Sequence, residues 1–288
     1  MENILELQQV QKTYPKSDFT LDKLSFSLPY GAILGFVGEN GAGKTTTIDC
    51  ILNTVRKDSG TVKLFGKQMQ DTNTDIREKI GVVYDGDNFP GYYTPRQLAK
   101  VMDGLYTQWD HALFQKYLED FQLPAKQKIK YFSKGMTMKL AIAAALSHHP
   151  QLLILDEATN GLDPVMRDEM LDVFLSFVQE DNHSILLSSH ITSDLEKIAD
   201  YITFIHHGRL ILTASKDDLI YHYAVMRCKQ NQFLSLDRAD IIAFRKRDYQ
   251  IDVLVADGKA AGRKYKDVVI DHVSVDEIML LLVKGEQV

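Results

Sequence analysis

The stretch Gly38-Glu39-Asn40-Gly41-Ala42-Gly43-Lys44-Thr45-Thr46 carries the clearest chemistry in the chain. Its glycines let backbone N–H groups turn inward and approach phosphate oxygens closely. Lys44 supplies a mobile cation for outer phosphates, and the Thr45 hydroxyl is suited to ligating Mg²⁺. A tight glycine turn that binds nothing would not require lysine and threonine in this register. The pattern therefore points to a bound nucleoside triphosphate. Three further segments offer groups that act on one: Asp85, the pair Asp156-Glu157, and His190. Asp156 suits a Mg²⁺ ligand, directly or through water. Glu157 beside it is suited to orient or deprotonate water attacking the γ-phosphate. His190 is suited to hold that phosphate as its charge moves. Taken singly, each has a plainer reading: a solvated loop start for the carboxylates, a satisfied core imidazole for His190.

The elements that must position these groups are legible as patterns. The apolar run Ala32-Ile33-Leu34-Gly35-Phe36-Val37 reads as a buried strand before the glycine loop. Ile48, Ile51, Leu52 and Val55 fall on one helical face after it. Strand, loop and helix in that order is the context a phosphate loop needs, and the helix N-terminus adds partial positive charge. Residues 80–84 form an apolar strand ending at Asp85. Residues 151–155 read as a central parallel strand ending in Asp156-Glu157, and residues 184–188 as another with His190 just past its end. Ligands of open α/β sheets bind outside the carboxyl ends of the strands, so all four features can converge on one nucleotide.

The remaining chain supplies flanking structure. Residues 3–28 alternate in the strand manner about a turn at residues 14–18. Tyr14 ends the first strand, either as an ordinary edge aromatic or as a stacking platform for a base. Lys57-Asp58-Ser59-Gly60 reads as a helix stop and turn, and residues 61–65 as a short strand. A loop at residues 87–95 is rich in turn residues and aromatics, including Phe89, Tyr92 and Tyr93. At least one of these three rings is expected to be largely exposed. A helical insert follows: Leu98, Val101, Met102 and Leu105 share one face, and Leu113, Phe114, Tyr117, Leu118 and Phe121 another. Ser133 reads as the cap of a continuous helix at residues 137–146. Residues 166–178 read as a helix, and residues 202–205 and 209–212 as a hairpin. From about residue 216 the character shifts. Strands at 250–255 and 267–270 and a short apolar helix at 275–283 indicate a small α+β domain without a chemical motif.

Composition sets bounds. A chain of 288 residues, 45% hydrophobic and 25% charged, fits one large or two modest folded domains. The net charge of −6 gives no general pull toward nucleic acid, and no nucleic-acid partner is expected. Cys50 and Cys228 form no disulfide framework and lack metal-ligand spacing, so a reducing cytoplasm is the default. The N-terminus has no signal-peptide pattern, and the longest late apolar stretch, residues 278–283, is far too short to span a bilayer. Work at a membrane would need another chain to do the spanning.

In this order the motifs resemble the nucleotide-binding ATPase subunit of an ABC transporter, over residues 1 to about 215. Tyr14 matches the aromatic that stacks on adenine. Gly38 to Thr46 match the phosphate loop, so Gly38, Asn40, Gly41, Ala42, Gly43, Lys44, Thr45 and Thr46 are expected to hold ATP. Ser133-Lys134-Gly135-Met136 matches the family signature, with Ser133 and Gly135 as nucleotide contacts. Residues 152–157 match the strand that carries the metal-binding aspartate and the catalytic Glu157. Asn160-Gly161-Leu162-Asp163 matches the loop that contacts the partner subunit, and His190 the switch histidine. The resemblance implies a P-loop NTPase of the ABC ATPase type: α/β, a mixed sheet with flanking helices, an antiparallel β subdomain and a helical insert at about 88–150. The domain at 216–288 is added to it. It also implies ATP and Mg²⁺ as cofactors, with Glu157 and His190 catalytic and Thr45, Asp156 and Asp85 at the metal. Two such subunits, identical or related, would close head to tail on two ATP molecules. They would sit on the cytoplasmic face of the cell membrane through a separate permease chain.

Some positions depart from the family pattern. Asp85 stands where the family usually has Gln, Lys134 and Met136 replace a common Gly and Gln, and Ala158 replaces a usual Pro. Ser133-Lys134-Gly135-Met136, Tyr106 with Trp109-Asp110, and Lys216-Asp217-Asp218-Leu219 resemble a bacterial exporter branch. That branch serves antimicrobial peptides, phenol-soluble modulins or antibiotics. Two other classes are weighed against it. A soluble ABC protein acting on ribosomes or DNA usually has two ATPase domains or a coiled-coil insert, but this chain has one phosphate loop and no sustained heptads. A nucleotide-binding regulator that does not hydrolyse would have no need of Glu157 and His190.

Overall fold

The computed structural model describes residues 2–15, 18–70, 72–86, 88–179 and 182–287. Lys16 and Ser17 of the first turn, and Asp87 of the aromatic loop, lie outside the described residues. The centre is a six-stranded sheet in the order Arg209–Ser215, Tyr201–His206, Ile33–Val37, Ser184–Ser189, Leu152–Asp156, Ile80–Val83. Every neighbouring pair is parallel except the edge pair of Arg209–Ser215 with Tyr201–His206. The inner strands are buried on both faces, which is why they read as unbroken apolar runs.

Alternate residues of those strands enter two separate cores, as the period of two demands. Ile33, Val37, Leu153, Leu155, Ile185 and Leu187 face the helices Lys134–Leu146, Pro164–Val178 and Thr192–Ile198. Leu34, Phe36, Leu152, Ile154 and Leu186 face the helix Lys44–Leu52 and a four-stranded antiparallel sheet. That sheet runs Thr20–Pro29, Asn3–Thr13, Ser59–Leu64, Lys67–Gln68. Between Ile80–Val83 and Leu152–Asp156 the chain makes the helical insert, with helices Pro95–Asp103, His111–Asp120 and Lys134–Leu146 around a small core of its own.

Several boundaries differ from the sequence reading. The helix after the phosphate loop ends at Leu52, because Asn53 turns left-handed (φ 57°) and its N–H caps the preceding carbonyls. Val55 therefore lies beyond it, and Ser59-Gly60 opens a strand rather than a turn. The stripe assigned to the first insert helix is only partly buried: Leu98 is inside, but Val101 is exposed and Leu105 lies past the helix end. The signature helix starts earlier, at Lys134, with Ser133 as its cap as expected: its Oγ accepts from the Met136 N–H at 3.2 Å.

The C-terminal segment forms a five-stranded antiparallel sheet, ordered Val269–His272, Ala224–Cys228, Ile251–Val255, Ala243–Lys246, Glu286–Gln287, with the helix Val275–Lys284 packed on it. Three of its strands, Ala224–Cys228, Ala243–Lys246 and Glu286–Gln287, are not among those read from the sequence. One core runs from this sheet into the helix-covered face of the central sheet through Leu219, Val225, Leu254, Ile278 and Leu281.

Asp252 ties the small sheet together. It is fully buried and meets Arg227 Nη1 at 2.9 Å, Arg247 Nε, and Gln250 Nε2 at 2.7 Å. Burial alone would raise its pKa, but the bonds from Arg227 and Arg247 outweigh that and hold the carboxyl below its usual 3.8. The stabilisation is complete above that value and is lost as pH falls through the lower folded value. Asp252→Ala should cost about 2 kcal/mol at pH 7, because it removes the charge-assisted hydrogen bonds that Arg227 and Arg247 make to a fully buried carboxylate. Urea unfolding at pH 7 and pH 3 checks both points: the wild type should lose stability toward pH 3, and the variant should lose less.

Candidate active site

The phosphate loop sits where the buried strand Ile33–Val37 leaves the sheet. The turn into the helix is made by Gly43 at φ 111°, a left-handed conformation that favours glycine. Space requires it as well: a Cβ there would lie 2.7 Å from both Leu21 and Phe19. The loop folds around Lys44, which is buried. Its Nζ donates to the carbonyls of Gly38 at 2.6 Å and Glu39 at 3.2 Å, and lies 3.0 Å from Glu157 Oε1.

Asp156 and Glu157 end the strand Leu152–Asp156 and are 4% and 8% exposed. Thr45 Oγ1 donates to Asp156 Oδ2 at 2.6 Å, and Ser188 Oγ donates to Asp156 Oδ1. Ser188 also accepts from the Glu157 N–H at 3.2 Å. Glu157 has φ 52°, an uncommon conformation for a residue with a side chain. That backbone aims its carboxylate between Lys44 and His190. Oε1 faces Lys44, and Oε2 meets His190 Nδ1 at 2.6 Å and the His190 N–H at 3.4 Å. A carboxylate so held, next to the phosphate loop, is placed to accept a proton from water.

Thr45 and Asp156 put two hard oxygen donors side by side, a set that fits Mg²⁺. Among the described residues no group of three or more His, Cys, Asp or Glu is placed to hold a metal ion. Mg²⁺ does not need one, because it is usually held by one or two side chains with waters and substrate phosphates.

Lys44, Thr45, Asp156 and Glu157 line one cavity of about 760 Å³, while Ser188 and His190 touch the two carboxylates without lining it. Its walls include Tyr14, Asn40, Gly41, Gly43, Lys44, Thr45, Thr46, Asp85, Asp156 and Glu157, so most of the expected site residues share it. Phe19 and Tyr84 line it too and were not singled out from sequence. Burial, followed by the charges of Asp49 and Asp156, pushes the Tyr84 hydroxyl up to about 12, which keeps it a neutral donor. Gly38 and Ala42 belong to the loop without lining the cavity.

Ser133, Gly135 and Asp163 do not join this cavity. Ser133 and Asp163 are exposed, and each caps a helix; Asp163 Oδ1 accepts from the N–H groups of Val165 and Met166. A Cβ at Gly135 would fall 2.3 Å from Met166 Sδ, so any larger residue there would have to displace the end of that flexible side chain. Asp85 lines the cavity, yet its Oδ1 lies 3.1 Å from Lys134 Nζ and its Oδ2 accepts from Asn160 Nδ2 at 3.3 Å. Two departures from the family pattern, Asp85 and Lys134, are thus partners.

Fold and site define a phosphate-loop nucleoside triphosphatase. The family model for the ABC transporter matches residues 21–160. The chain is 36% identical over 213 residues to the bacitracin transport ATP-binding protein of Bacillus licheniformis, covering 73% of this chain and 69% of that one. It is 34% identical over 220 residues to the lantibiotic transport ATP-binding protein of Streptococcus pyogenes, covering 74% and 92%. A solved ATP-binding subunit of an ABC transporter superposes with a TM-score of 0.68 at 26% identity, over 75% of this chain and 91% of that one. The chain belongs to the ABC transporter family, and within it is an ATP-binding subunit that hydrolyses ATP.

Two substitutions separate binding from turnover. Lys44→Ala should abolish most nucleotide affinity, read by equilibrium binding of a fluorescent ATP analogue. Glu157→Gln should retain binding but release phosphate at least about a hundredfold more slowly, the scale for loss of a positioned general base. Phosphate release near the wild-type rate in the second variant would remove Glu157 from that role.

Proposed function

We propose that this chain powers an exporter of peptides or antibiotic-like compounds whose membrane-spanning subunit is a separate chain. The carrying observation is Glu157 held between Lys44 and His190, beside the Thr45–Asp156 pair. Support for export comes from relatives named for bacitracin and lantibiotic transport and, at 33% identity, for Nod factor export. No helix among the described residues is long and apolar enough to cross a membrane. We place the subunit on the cytoplasmic face, attached through its permease. Residues 1–215 form the ATPase domain, with its helical insert at about 88–150, and residues 216–288 an accessory domain. The ribosome- or DNA-directed and non-hydrolysing readings have no observation in their favour.

The chemistry follows from the contacts. The loop N–H groups and Lys44 take the phosphates, which replace the carbonyls that Lys44 now meets. Tyr14 stacks on the base. Thr45 and Asp156 would hold Mg²⁺, which neutralises phosphate charge when bound. Water attacks the γ-phosphorus, the bond to the β–γ bridging oxygen breaks, and its electron pair leaves with ADP. Glu157 takes the proton from the water. His190, hydrogen-bonded to Glu157, keeps that carboxylate oriented and contacts the γ-phosphate.

A single subunit leaves Ser133, Gly135 and Asp163 outside the cavity. A second ATPase subunit, either a copy or a relative, would bring its own phosphate loop to them. The N-terminus of the helix Lys134–Leu146 then offers N–H groups to the second γ-phosphate. Loss of that phosphate on hydrolysis removes the bridging charge and opens the pair. Light scattering on Glu157→Gln should show a mass near one subunit without nucleotide and near two with ATP and Mg²⁺. A mass that does not respond to ATP would count against this closure.

The permease is expected to dock at the aromatic loop. Tyr92 is 64% exposed, as anticipated for at least one of its rings, and lies 4.6 Å from Tyr93 between ring centres. Tyr131, 65% exposed, follows the turn that hydrogen-bonds this loop through Lys130 N–H to Gly91 C=O at 2.9 Å. Tyr92→Ala should leave ATP binding intact but weaken assembly by about 2 kcal/mol, the scale of a truncated aromatic anchor. Pull-down of the membrane subunit beside nucleotide binding measures both, and normal assembly would move the docking surface elsewhere.

A further inference from the structure

The helix Thr192–Ile198 starts two residues after His190, so its placement sets where that imidazole stands. It is held on three sides. Leu195 packs on Gly35 in the strand that leads to the phosphate loop. Asp194, 2% exposed, faces Arg167 Nε at 3.9 Å, and Arg167 Nη2 donates to the Leu162 carbonyl at 3.3 Å, next to Asp163. The third side belongs to the C-terminal segment. Glu196 Oε1 accepts from the Val275 N–H at 2.6 Å, and Thr192 Oγ1 donates to Asp276 Oδ1 at 3.4 Å.

Val275 is the first residue of the ten-residue helix Val275–Lys284, and its N–H has no partner within that helix. Glu196 satisfies it and sets a negative charge at the positive end of the helix dipole. The C-terminal helix is itself fixed. Glu277 Oε1 accepts from Arg227 Nη2 at 2.6 Å, and Arg227 is bound to the buried Asp252 of the small sheet. Directional contacts therefore run from that sheet to the helix Thr192–Ile198, and the backbone from Thr192 carries on to His190 two residues before it.

We infer that the C-terminal module positions His190 for hydrolysis, and that Glu196 is the positioning residue that transmits its hold. This rests on the reading of His190 given above. A purely packing role for the module would need only the apolar core that Leu195 and Ile198 share with Ile278 and Leu281. A hydrogen bond from a side chain on the histidine's own helix fixes rotation about the helix axis as well, which apolar contacts alone do so less sharply. Small angular errors at a group that contacts the reacting phosphate are costly, because rate depends steeply on alignment.

The test uses the full chain. Glu196→Ala should lower kcat per nucleotide-binding site about tenfold, with KM for ATP unchanged, and shift the ¹⁵N signals of the His190 ring. Glu196→Gln keeps an acceptor for the Val275 N–H and should restore both readouts. Val275→Pro removes the N–H from the other side at a position where proline suits a helix. It should match Glu196→Ala, and combining the two should add nothing, as for partners in one contact. Wild-type kcat and ring signals in both single variants, even with a lowered unfolding temperature, would overturn the inference. So would a change confined to KM. His190→Ala serves as the control: wild-type turnover there would refute the histidine's role itself, while the ring signals of Glu196→Ala and Val275→Pro, which keep the imidazole, still report whether the link to Glu196 exists.

Discussion

Two adjacent carboxylates, Asp156 and Glu157, are buried at the end of one strand, and this sets the terms for the rest of the site. Burying charge is unfavourable unless each oxygen finds a partner. No neighbour in sequence can supply those partners. Thr45 stands 111 positions from Asp156, and Ser188 32 positions. Only a sheet that places Ile33–Val37 beside Ser184–Ser189, and that beside Leu152–Asp156, brings them together. The crossing order of the strands is therefore a requirement of the site, and Ser188 reaches Asp156 because the two residues are paired in the parallel register.

That register is secured by the two cores on either side of the sheet. A slip of one residue would send Leu153 and Leu155 into the core now filled by Leu152 and Ile154, and invert the aim of Asp156. The helix-covered face is completed partly by residues from the far end of the chain, including Leu254, Ile278 and Leu281. The C-terminal sheet is thus part of what fixes the central strands. The helical insert is different, with its own core around Leu98, Phe114, Leu118 and Leu140. It meets the remainder through the helix Lys134–Leu146, whose Met138, Ala141, Ile142 and Ala145 belong to the core of the central sheet, and through that helix's contact with the strand Ile80–Val83.

The phosphate loop and its flanking elements were legible because local pattern and chemistry coincide there. An apolar run, glycines at fixed offsets, Lys44 and Thr45 leave little freedom. Asp156, Glu157 and His190 were legible through their place after apolar strands. What sequence could not supply was partnership across the sheet: Ser188 carries no motif, and Phe19 reads as one more strand residue. The strands at 251–255 and 269–272 were legible, but the other C-terminal strands were not, for physical reasons. Ala224–Cys228 is covered on both faces and so shows no alternation, while Ala243–Lys246 is four residues long and ends in two basic residues. The stripe of Leu98, Val101, Met102 and Leu105 was over-read because a helix that ends at Asp103 cannot turn Leu105 inward.

Asp85 and Lys134 show how a departure from a family pattern is understood only in three dimensions. Along the chain they are separate substitutions, one removing an amide donor, the other adding a cation at a helix start. In the fold they meet at 3.1 Å, with Asn160 on the second carboxylate oxygen. Both side chains are more than a third exposed, so the pair contributes at most about 1 kcal/mol to stability. Its consequence is electrostatic. An unpaired carboxylate on the wall of the phosphate-loop cavity would repel a bound phosphate. Lys134 balances that charge from the N-terminus of the signature helix, so a departure in the loop after Ile80–Val83 is joined to a departure in that helix.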